Sequence, residues 1–502
     1  MDTNYQKAIA LLNRRIRPSR PSTEPLKNTP ELTRMPTLTG GSDFKGTPSI
    51  LGMKQWLGEL GHSAASINKL NIIHVAGTKG KGSTCAFIDS ILRAHAKRSG
   101  FPRKVGLYTS PHLIYPEERI RINFEPLSRD LFAKYIFEVD NLLTRSGSQE
   151  FATRPRHLQL LALLAFHIFI REGVDAAIFE THHGGEYDST NVIEKPIATV
   201  VTTLGLDHVK QLGSSIESIA WHKAGIFKSG AQAISAPQES RATEALRKRA
   251  SEKGVNLQFA EPDTSLPSDI VQLKPAVQRT NCSVAVATVR SFLDQMDDKS
   301  SSNLTSSDIL QGIKQFSWPG RFQIVRDNQY QWFLDSAHNE MSVGIAAEWF
   351  LETSKMQTIT SPVARILIFS MITNQRDAAA VFQRLAISLA SSGIQHVIFT
   401  TYALDHDAEA KDNPQSEFLK TPSADQQSYA TIWRRAHPDA NISFEPTIRG
   451  ALDLARDIGE AYGSVQTLIT GSQHLVGGAL FLLQTTDTTQ TSETGNGESG
   501  NE

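Results

Sequence analysis

The sequence contains little cysteine and no excess of either charge. Only two cysteines, Cys85 and Cys282, occur among 502 residues, and their separation does not match the short spacings of zinc sites. This scarcity indicates a reducing compartment and a fold without disulfides, in which both thiols are small buried side chains. Lys and Arg number 51 against 52 Asp and Glu, so no overall field favours nucleic acid or a membrane surface. An anionic ligand must therefore be held by local groups.

Long apolar runs are also missing. The longest, from Leu158 to Ile170, is shorter than the roughly 20 residues that span a bilayer, so we predict a buried core helix there. The arginine-containing stretch from Met1 to Arg20 lacks the apolar centre of a secretory signal. We therefore predict a cytoplasmic, monomeric protein that binds small molecules and neither nucleic acid nor membranes, with a mitochondrial leader as the alternative.

The order of apolar segments predicts an α/β fold. Short β-branched runs alternate with amphipathic segments, which is typical of parallel strands joined by helices. A break at Trp318-Pro319-Gly320 suggests two domains: residues 1–317 as a P-loop-type nucleotide-binding domain with a mainly parallel sheet, and 318–484 as a smaller Rossmann-like α/β domain. The polar stretch 405–427 suggests a surface insertion, and the Thr- and Ser-rich residues 485–502 predict a disordered tail.

Eight segments have the composition expected of strands. They are Asn71 to Ala76, Lys104 to Tyr108, Ala176 to Glu180, Ile197 to Thr203, Gln331 to Leu334, Ile366 to Phe369, His396 to Thr400 and Thr467 to Thr470. Each is a short run rich in β-branched or aromatic residues and bounded by polar residues or glycine. They supply the strands of both predicted domains.

A glycine- and lysine-rich loop follows the first predicted strand. After it, apolar residues recur at helical spacing from Ser83 onward, so we place a loop at Gly77 to Gly82 between strand and helix. Backbone N–H groups and the helix dipole at such a position favour a phosphate. A strict P-loop has Ser or Thr directly after Gly-Lys, whereas Gly82 intervenes here, and the alternative is a turn with solvated lysines. The candidate ATP-binding residues of this loop are Gly77, Thr78, Lys79, Gly80, Lys81, Gly82 and Ser83.

This loop resembles the nucleotide-binding loop of the Mur ligase superfamily. Its sequence, Gly-Thr-Lys-Gly-Lys-Gly-Ser, is similar to that of the folylpolyglutamate synthase branch. Further segments resemble the family in the same order, from residue 4 to about 484. They are Leu107 to Leu113, Glu118 to Asn123, Thr203 to His208, Ile219 to Lys228, Trp318 to Arg321, Leu334 to His338 and Thr470 to Gly478. The resemblance implies an ATP-dependent ligase that activates a carboxylic acid as an acyl phosphate and joins it to an amino acid. In that family the acid is a folate and the amino acid is L-glutamate.

The resemblance also implies roles for individual residues. Ser110 and Glu180 would bind one Mg²⁺, His208 would help to hold a second, and Lys223 would be a carbamylated lysine that acts as an anionic ligand. Ser110, Glu180 and His208 each follow a predicted strand, at the edge where open α/β sheets bind ligands. Taken singly, His208 is more often a surface or capping histidine and Lys223 an ordinary helix-surface lysine. The implied catalytic residues are Lys81, Glu180, His208 and Lys223.

Further nucleotide contacts are implied outside the loop. Asp335 and His338 resemble residues that contact the nucleotide, and Arg321 and Asn281 resemble residues near its phosphates. The implied cofactors are ATP and Mg²⁺, with a monovalent cation such as K⁺ as a further candidate. ATP is therefore expected between the two predicted domains.

Three segments depart from the family pattern. Thr181-His182-His183-Gly184-Gly185 stands where the family has a glycine-rich sequence, and Arg156-His157-Leu158 and Phe369 to Asp377 also differ. The histidine pair could be a metal site, but adjacent side chains seldom meet at one ion, so pocket lining or a surface loop is favoured.

These departures leave three other functions open. One is a divergent ligase that acts on a non-folate acid, and another is a catalytically silent nucleotide-binding regulator. The third is dihydrofolate synthase, which Lys79 and the later motifs disfavour.

Overall fold

A computed structural model describes residues 3–16, 48–145, 154–296, 303–355, 363–372, 377–405 and 422–493. The chain forms two compact units, Met1–Ser317 and Trp318–Glu502. The boundary lies at the Trp318-Pro319-Gly320 sequence, where proline and glycine interrupt regular structure. Both units are α/β structures, so the predicted fold class is confirmed.

The first unit contains a mainly parallel sheet. Its strands are β1 (Ile72–Ala76), β2 (Val105–Tyr108), β3 (Ile120–Ile122), β4 (Glu125–Pro126), β5 (Ala176–Glu180), β6 (Ala198–Val201), β7 (Gln232–Ser235) and β8 (Leu257–Phe259). They lie in the order β4-β3-β2-β5-β1-β6-β7-β8, and only the pairings of β3 with its two neighbours are antiparallel. Strands β1, β2, β5 and β6 are buried along their whole length, as expected of parallel strands covered on both faces.

Helices surround this sheet. They are α1 (Thr3–Asn13), α2 (Met53–Glu59), α3 (Ala64–Asn68), α4 (Lys81–Ser99), α5 (Arg129–Arg145), α6 (His157–Arg171), α7 (Val209–Leu212), α8 (Ile216–Lys223), α9 (Ser240–Glu252), α10 (Ala276–Asp294) and α11 (Ser306–Gln315). The predicted core helix is confirmed, because α6 buries nearly every residue from Gln159 to Phe169. None of the helices in the described ranges is long and apolar enough to cross a membrane.

The second unit contains a sheet in the order β13-β12-β11-β14-β10-β9, parallel except for the β9–β10 pair. Its strands are β9 (Gln323–Asp327), β10 (Tyr330–Asp335), β11 (Val363–Phe369), β12 (His396–Phe399), β13 (Asn441–Phe444) and β14 (Ser464–Thr470). Its helices are α12 (Glu340–Lys355), α13 (Ala378–Ser388), α14 (Ala424–Ala436), α15 (Ile448–Glu460) and α16 (Gln473–Glu493). Aromatic side chains such as Phe382, Tyr429 and Trp433 fill its core.

Two expectations about flexible segments differ from the structure. Helix α16 continues to Glu493, so residues 485–493 are helical where disorder was predicted, and residues 494–502 lie outside the described ranges. The predicted polar insertion 405–427 is shorter at its end, because Ser423 caps α14 through a hydrogen bond from the backbone N–H of Gln426. Residues 406–421 lie outside the described ranges. In both places helix formation overrides a polar composition.

Candidate active site

The phosphate loop runs from β1 to α4 and is tied to the end of β6. The backbone N–H groups of Thr78 and Lys79 both donate to the carbonyl of Thr203 at 3.0 Å. The Thr202 hydroxyl donates to the Lys79 carbonyl at 2.7 Å, and the Thr78 hydroxyl donates to Gly205 at 3.1 Å. Helix α4 begins at Lys81, two residues earlier than expected, so the loop is Gly77 to Gly80. The first turn of the helix therefore includes Gly82 and Ser83 and exposes N–H groups to a bound anion.

Two of the loop glycines have no room for a side chain. A Cβ atom on Gly77 would lie 1.8 Å from the Thr202 hydroxyl oxygen, and one on Gly80 would lie 2.2 Å from Oδ1 of Asn281. Gly80 also has a left-handed φ of 82°, which glycine adopts without strain. Asn281 on α10 is thus beside the loop, and its Oδ1 lies 3.4 Å from the Thr84 hydroxyl.

Lys81, Glu180 and Ser110 lie close together. Lys81 begins α4, Glu180 ends β5, and Ser110 follows β2 by two residues. Nζ of Lys81 is 3.8 Å from Oε1 of Glu180, and both side chains are largely buried. The other carboxylate oxygen of Glu180 accepts a hydrogen bond from the backbone N–H of Ser110 at 3.0 Å. The alternative of a turn with solvated lysines is therefore wrong for Lys81.

Lys223 is the last residue of α8 and is buried beneath the loop. Its Nζ donates to the carbonyl of Gly77 at 2.8 Å. Burial lowers the pKa of Lys223 to about 7, and repulsion from Lys81 acts in the same direction while Asp207 opposes it. The helix-surface alternative is therefore wrong, and near neutral pH much of this amine is uncharged.

His208 lies beside the phosphate loop in the loop after β6. It has a left-handed φ of 52°, and burial, with neighbouring His183, lowers its pKa to about 2. The imidazole is therefore neutral and keeps one nitrogen lone pair. The preceding Asp207 accepts from Nζ of Lys79 at 3.4 Å, a contact that sequence reasoning missed, although both residues lie in segments that resemble the family.

Asp188 organises the loop that follows Glu180. Its carboxylate accepts hydrogen bonds from the backbone N–H groups of His182, His183 and Thr190, and from the Thr190 hydroxyl. Burial alone would raise the pKa of Asp188, but His182 and these hydrogen bonds hold the pKa well below its usual value. The carboxylate stays ionised and fixes the loop at the end of β5.

The donor atoms in this region suit Mg²⁺, the metal that the resemblance implies. In the described parts of the chain, no group of three or more His, Cys, Asp or Glu side chains could hold a metal ion. Mg²⁺ needs no such cage, because it keeps several waters and takes one or two carboxylates together with phosphate oxygens. The carboxylate of Glu180 and the hydroxyl of neighbouring Ser110 are oxygen donors of this kind, whereas the neutral imidazole of His208 offers a nitrogen donor.

The remaining predicted nucleotide contacts belong to the second unit. Asp335 ends β10, and its carboxylate accepts from the backbone N–H of Phe322 at 3.0 Å. Nδ1 of His338 lies 2.8 Å from the Ser336 carbonyl. Arg321 donates to the carbonyl of Gly320 at 3.1 Å. These three residues therefore lie around one end of β10.

Comparisons with known proteins agree on one family. A folylpolyglutamate synthase of Neurospora crassa is 40% identical over 457 residues, which is 88% of this chain and 86% of the relative. A probable folylpolyglutamate synthase of Schizosaccharomyces pombe is 38% identical and covers 87% of this chain and 88% of its own length. No protein-family model matches the chain.

Solved structures have the same fold. The Mycobacterium tuberculosis folylpolyglutamate synthase complexed with ADP has a TM-score of 0.72 at 22% identity, covering 96% of this chain and 98% of that one. A folylpolyglutamate synthase in complex with AMPPCP and folate has a TM-score of 0.64 at 22% identity, covering 96% and 100%. With these folds and the near full-length sequence identity to the fungal relatives, the chain belongs to the folylpolyglutamate synthase family.

Proposed function

We propose that this protein is a folylpolyglutamate synthase that uses ATP to join L-glutamate to the γ-carboxylate of a tetrahydrofolate through an acyl phosphate. The observation that carries this proposal is the juxtaposition of Lys81 and Glu180 at 3.8 Å, where the phosphate loop meets the end of β5. A cation at the start of a helix, with a carboxylate at the end of a neighbouring strand, can hold a metal–triphosphate. The fungal relatives named folylpolyglutamate synthase support the choice of substrates.

The residues of the loop have distinct roles in this proposal. N–H groups in the first turn of α4 bind phosphate oxygens, and Lys81 neutralises charge that builds up as the phosphoryl group moves to the acid. Mg²⁺, when bound, would neutralise further phosphate charge; Glu180 and Ser110 are the residues that would hold one ion, and His208 would help to hold a second. The amine of glutamate then attacks the acyl carbon of this acyl phosphate, so that the amide bond forms, the C–O bond to phosphate breaks and inorganic phosphate leaves.

Lys223 is proposed to be carbamylated. An uncharged amine is the form that adds to CO₂, and burial gives Lys223 a pKa of about 7. The neighbouring cation Lys81 would stabilise the resulting anionic carbamate. The Gly77 carbonyl that Nζ contacts at 2.8 Å holds the amine directly beneath the loop.

The proposed setting is a reducing compartment, the cytoplasm, with the protein acting as a monomer. Both cysteines are free and buried, and burial raises the pKa of Cys282 to about 12. Neither thiol is therefore a nucleophile near neutral pH. Arg321, Asp335 and His338 are proposed to contact the nucleotide.

An ADP-release screen tests this function. Purified protein is incubated with ATP, Mg²⁺ and glutamate, together with tetrahydrofolate monoglutamate, dihydropteroate or unrelated carboxylic acids, and product masses are measured. We expect release of ADP only with the folate, and products heavier by whole glutamate residues. Turnover with dihydropteroate alone would indicate dihydrofolate synthase, and turnover with another acid alone would indicate a divergent ligase.

Matched variants connect the activity to the site. Lys81→Met removes the loop cation, whereas Lys248→Met removes an exposed lysine of α9. We expect the first variant to lose ADP release and the second to retain it. Equal activity in the two variants would contradict the assignment of the phosphate loop.

A further inference from the structure

Two adjacent histidines after β5 contact different neighbours. Nε2 of His182 lies 2.6 Å from the Tyr108 hydroxyl, and the two rings meet edge to face. On its other side, Nδ1 of His182 is 3.2 Å from the Ser189 hydroxyl and 3.4 Å from Asp188. The side chain of His182 is only 2% exposed, so the surface-loop expectation is wrong for this residue.

The protons of this network can be assigned from chemistry. A tyrosine hydroxyl is protonated at neutral pH, so the Tyr108 hydroxyl can donate to Nε2, which lies 2.6 Å away. The Nδ1–H of His182 is then available to Ser189 or Asp188. His182 thus connects the end of β2 to the loop after β5 through two polar contacts.

His183 points to a third loop. Its ring contacts the His208 ring edge to face, with the centroids 4.6 Å apart. Its backbone N–H donates to the Asp188 carboxylate at 3.0 Å. The histidines therefore reach β2 on one side and the loop after β6 on the other.

We propose that His182 and His183 are positioning residues that hold the loops carrying Ser110, Glu180 and His208 in one fixed arrangement. Tyr108 is two residues before Ser110, and His182 is two residues after Glu180, so their contact fixes the ends of both strands. His183 in turn holds the ring of His208. His182 stands where the family pattern has a glycine, and glycine there would lose the side-chain contact between the loop after β5 and Tyr108. This inference rests on the proposed function, because it assigns these loops to a metal–nucleotide site.

Direct metal binding tests the inference. Mn²⁺ is titrated into the full chain with a non-hydrolysable ATP analogue, and free Mn²⁺ is followed by electron paramagnetic resonance. His182→Gly and His183→Ala should each weaken Mn²⁺ binding roughly 10- to 100-fold, the usual effect of losing a group that orients a metal ligand. His182→Gln retains a polar group near Tyr108, and His183→Phe retains an aromatic edge, so both should recover most of the affinity.

A buried histidine of the second unit serves as the control. His437 stacks on Trp433 and contacts the Ala386 carbonyl at 3.0 Å, so His437→Gln perturbs a core without touching these loops. We expect Mn²⁺ binding to be unchanged in this variant. If His182→Gly does not fold, Tyr108→Phe removes only the hydroxyl and should weaken binding in the same direction.

The inference is overturned if Mn²⁺ binds equally well to wild type, His182→Gly and His183→Ala, or if wild type does not bind Mn²⁺ with the nucleotide. It is also overturned if His182→Gln and His183→Phe bind as weakly as the smaller replacements. Folate ligation by the wild type is measured separately. Its absence contradicts the proposed function, whereas the Mn²⁺ titrations decide the positioning role alone.

Discussion

The ion pair between Lys81 and Glu180 should contribute to stability as well as to catalysis. The two charged atoms are 3.8 Å apart, and the side chains are 16% and 5% exposed. At an effective dielectric constant near 20, two charges about 4 Å apart attract by about 4 kcal/mol. Desolvation offsets part of this attraction, so we expect a coupling free energy of about 1–3 kcal/mol, within the range found for residues in contact.

A double-mutant cycle measures this coupling. Lys81→Met, Glu180→Gln and the double variant are unfolded with urea, and their free energies of unfolding are compared with that of the wild type. Each single variant should be destabilised because it leaves the other charge buried and without its partner, and the double variant should recover part of the loss. The same cycle on the exposed pair Arg241 and Glu217, which are 67% and 41% exposed, should give a smaller coupling because solvent screens both charges. A coupling at Lys81 and Glu180 no larger than that of the exposed pair would refute the reasoning.

Activity should respond differently from stability in the same four proteins. The double variant should regain part of the stability but lacks both groups that we propose to hold the metal–triphosphate. We therefore expect kcat to fall by at least about 100-fold in both single variants and in the double variant. Recovery of activity in the double variant would mean that the pair serves the fold and not the reaction.

Three further predictions concern neighbouring positions. Lys223→Ala should be nearly inactive in the ADP-release assay, and acetate should restore part of its activity. The control Lys248→Ala should keep full activity. Full activity in Lys223→Ala would exclude the carbamate. Burial lowers the pKa of Lys228 to about 8. Between about pH 8 and 10.5 this lysine is therefore protonated more fully in the unfolded chain than in the folded protein. Its contribution to the free energy of unfolding should rise with pH across that window. Urea titrations of Lys228→Met should show a smaller rise than wild type, and an equal rise would contradict this assignment. Gly80→Ala should weaken binding of an ATP analogue in calorimetry, because its Cβ would meet Asn281 at 2.2 Å; unchanged affinity would show that the loop adapts.

The four central strands of each sheet were predictable from sequence because fully buried parallel strands are continuous apolar runs. The outer strands were not predicted; they are β3, β4, β7, β8, β9 and β13. Ala176 to Glu180 was predicted with the bounds that the structure has, and other strands differ at their ends by a few residues. The start of α4 was placed too late because Gly80 and Gly82 both weaken a helix by propensity. In the structure Gly80 is the left-handed cap, and Gly82 is inside the helix.

The residue types of the site were also predictable, but their surroundings were not. A phosphate loop and the polar ends of strands are local patterns, whereas the burial of Lys223 depends on α8 packing under Gly77, 146 residues away in sequence. The same holds for the contact of Tyr108 with His182, which are 74 residues apart. No local pattern signals either contact, because each arises from the order of strands in the sheet.

The charges around the loop explain why nucleotide and cation should bind together. Lys81 is paired with Glu180 at 3.8 Å and Lys79 with Asp207 at 3.4 Å. A triphosphate alone would attract both lysines but bring its own negative charge against both carboxylates. A divalent cation alone would gain the carboxylates but face the two lysines at close range. Only the two together give both lysines and Glu180 an opposite charge, because phosphate takes the lysines and the cation takes the carboxylate of Glu180.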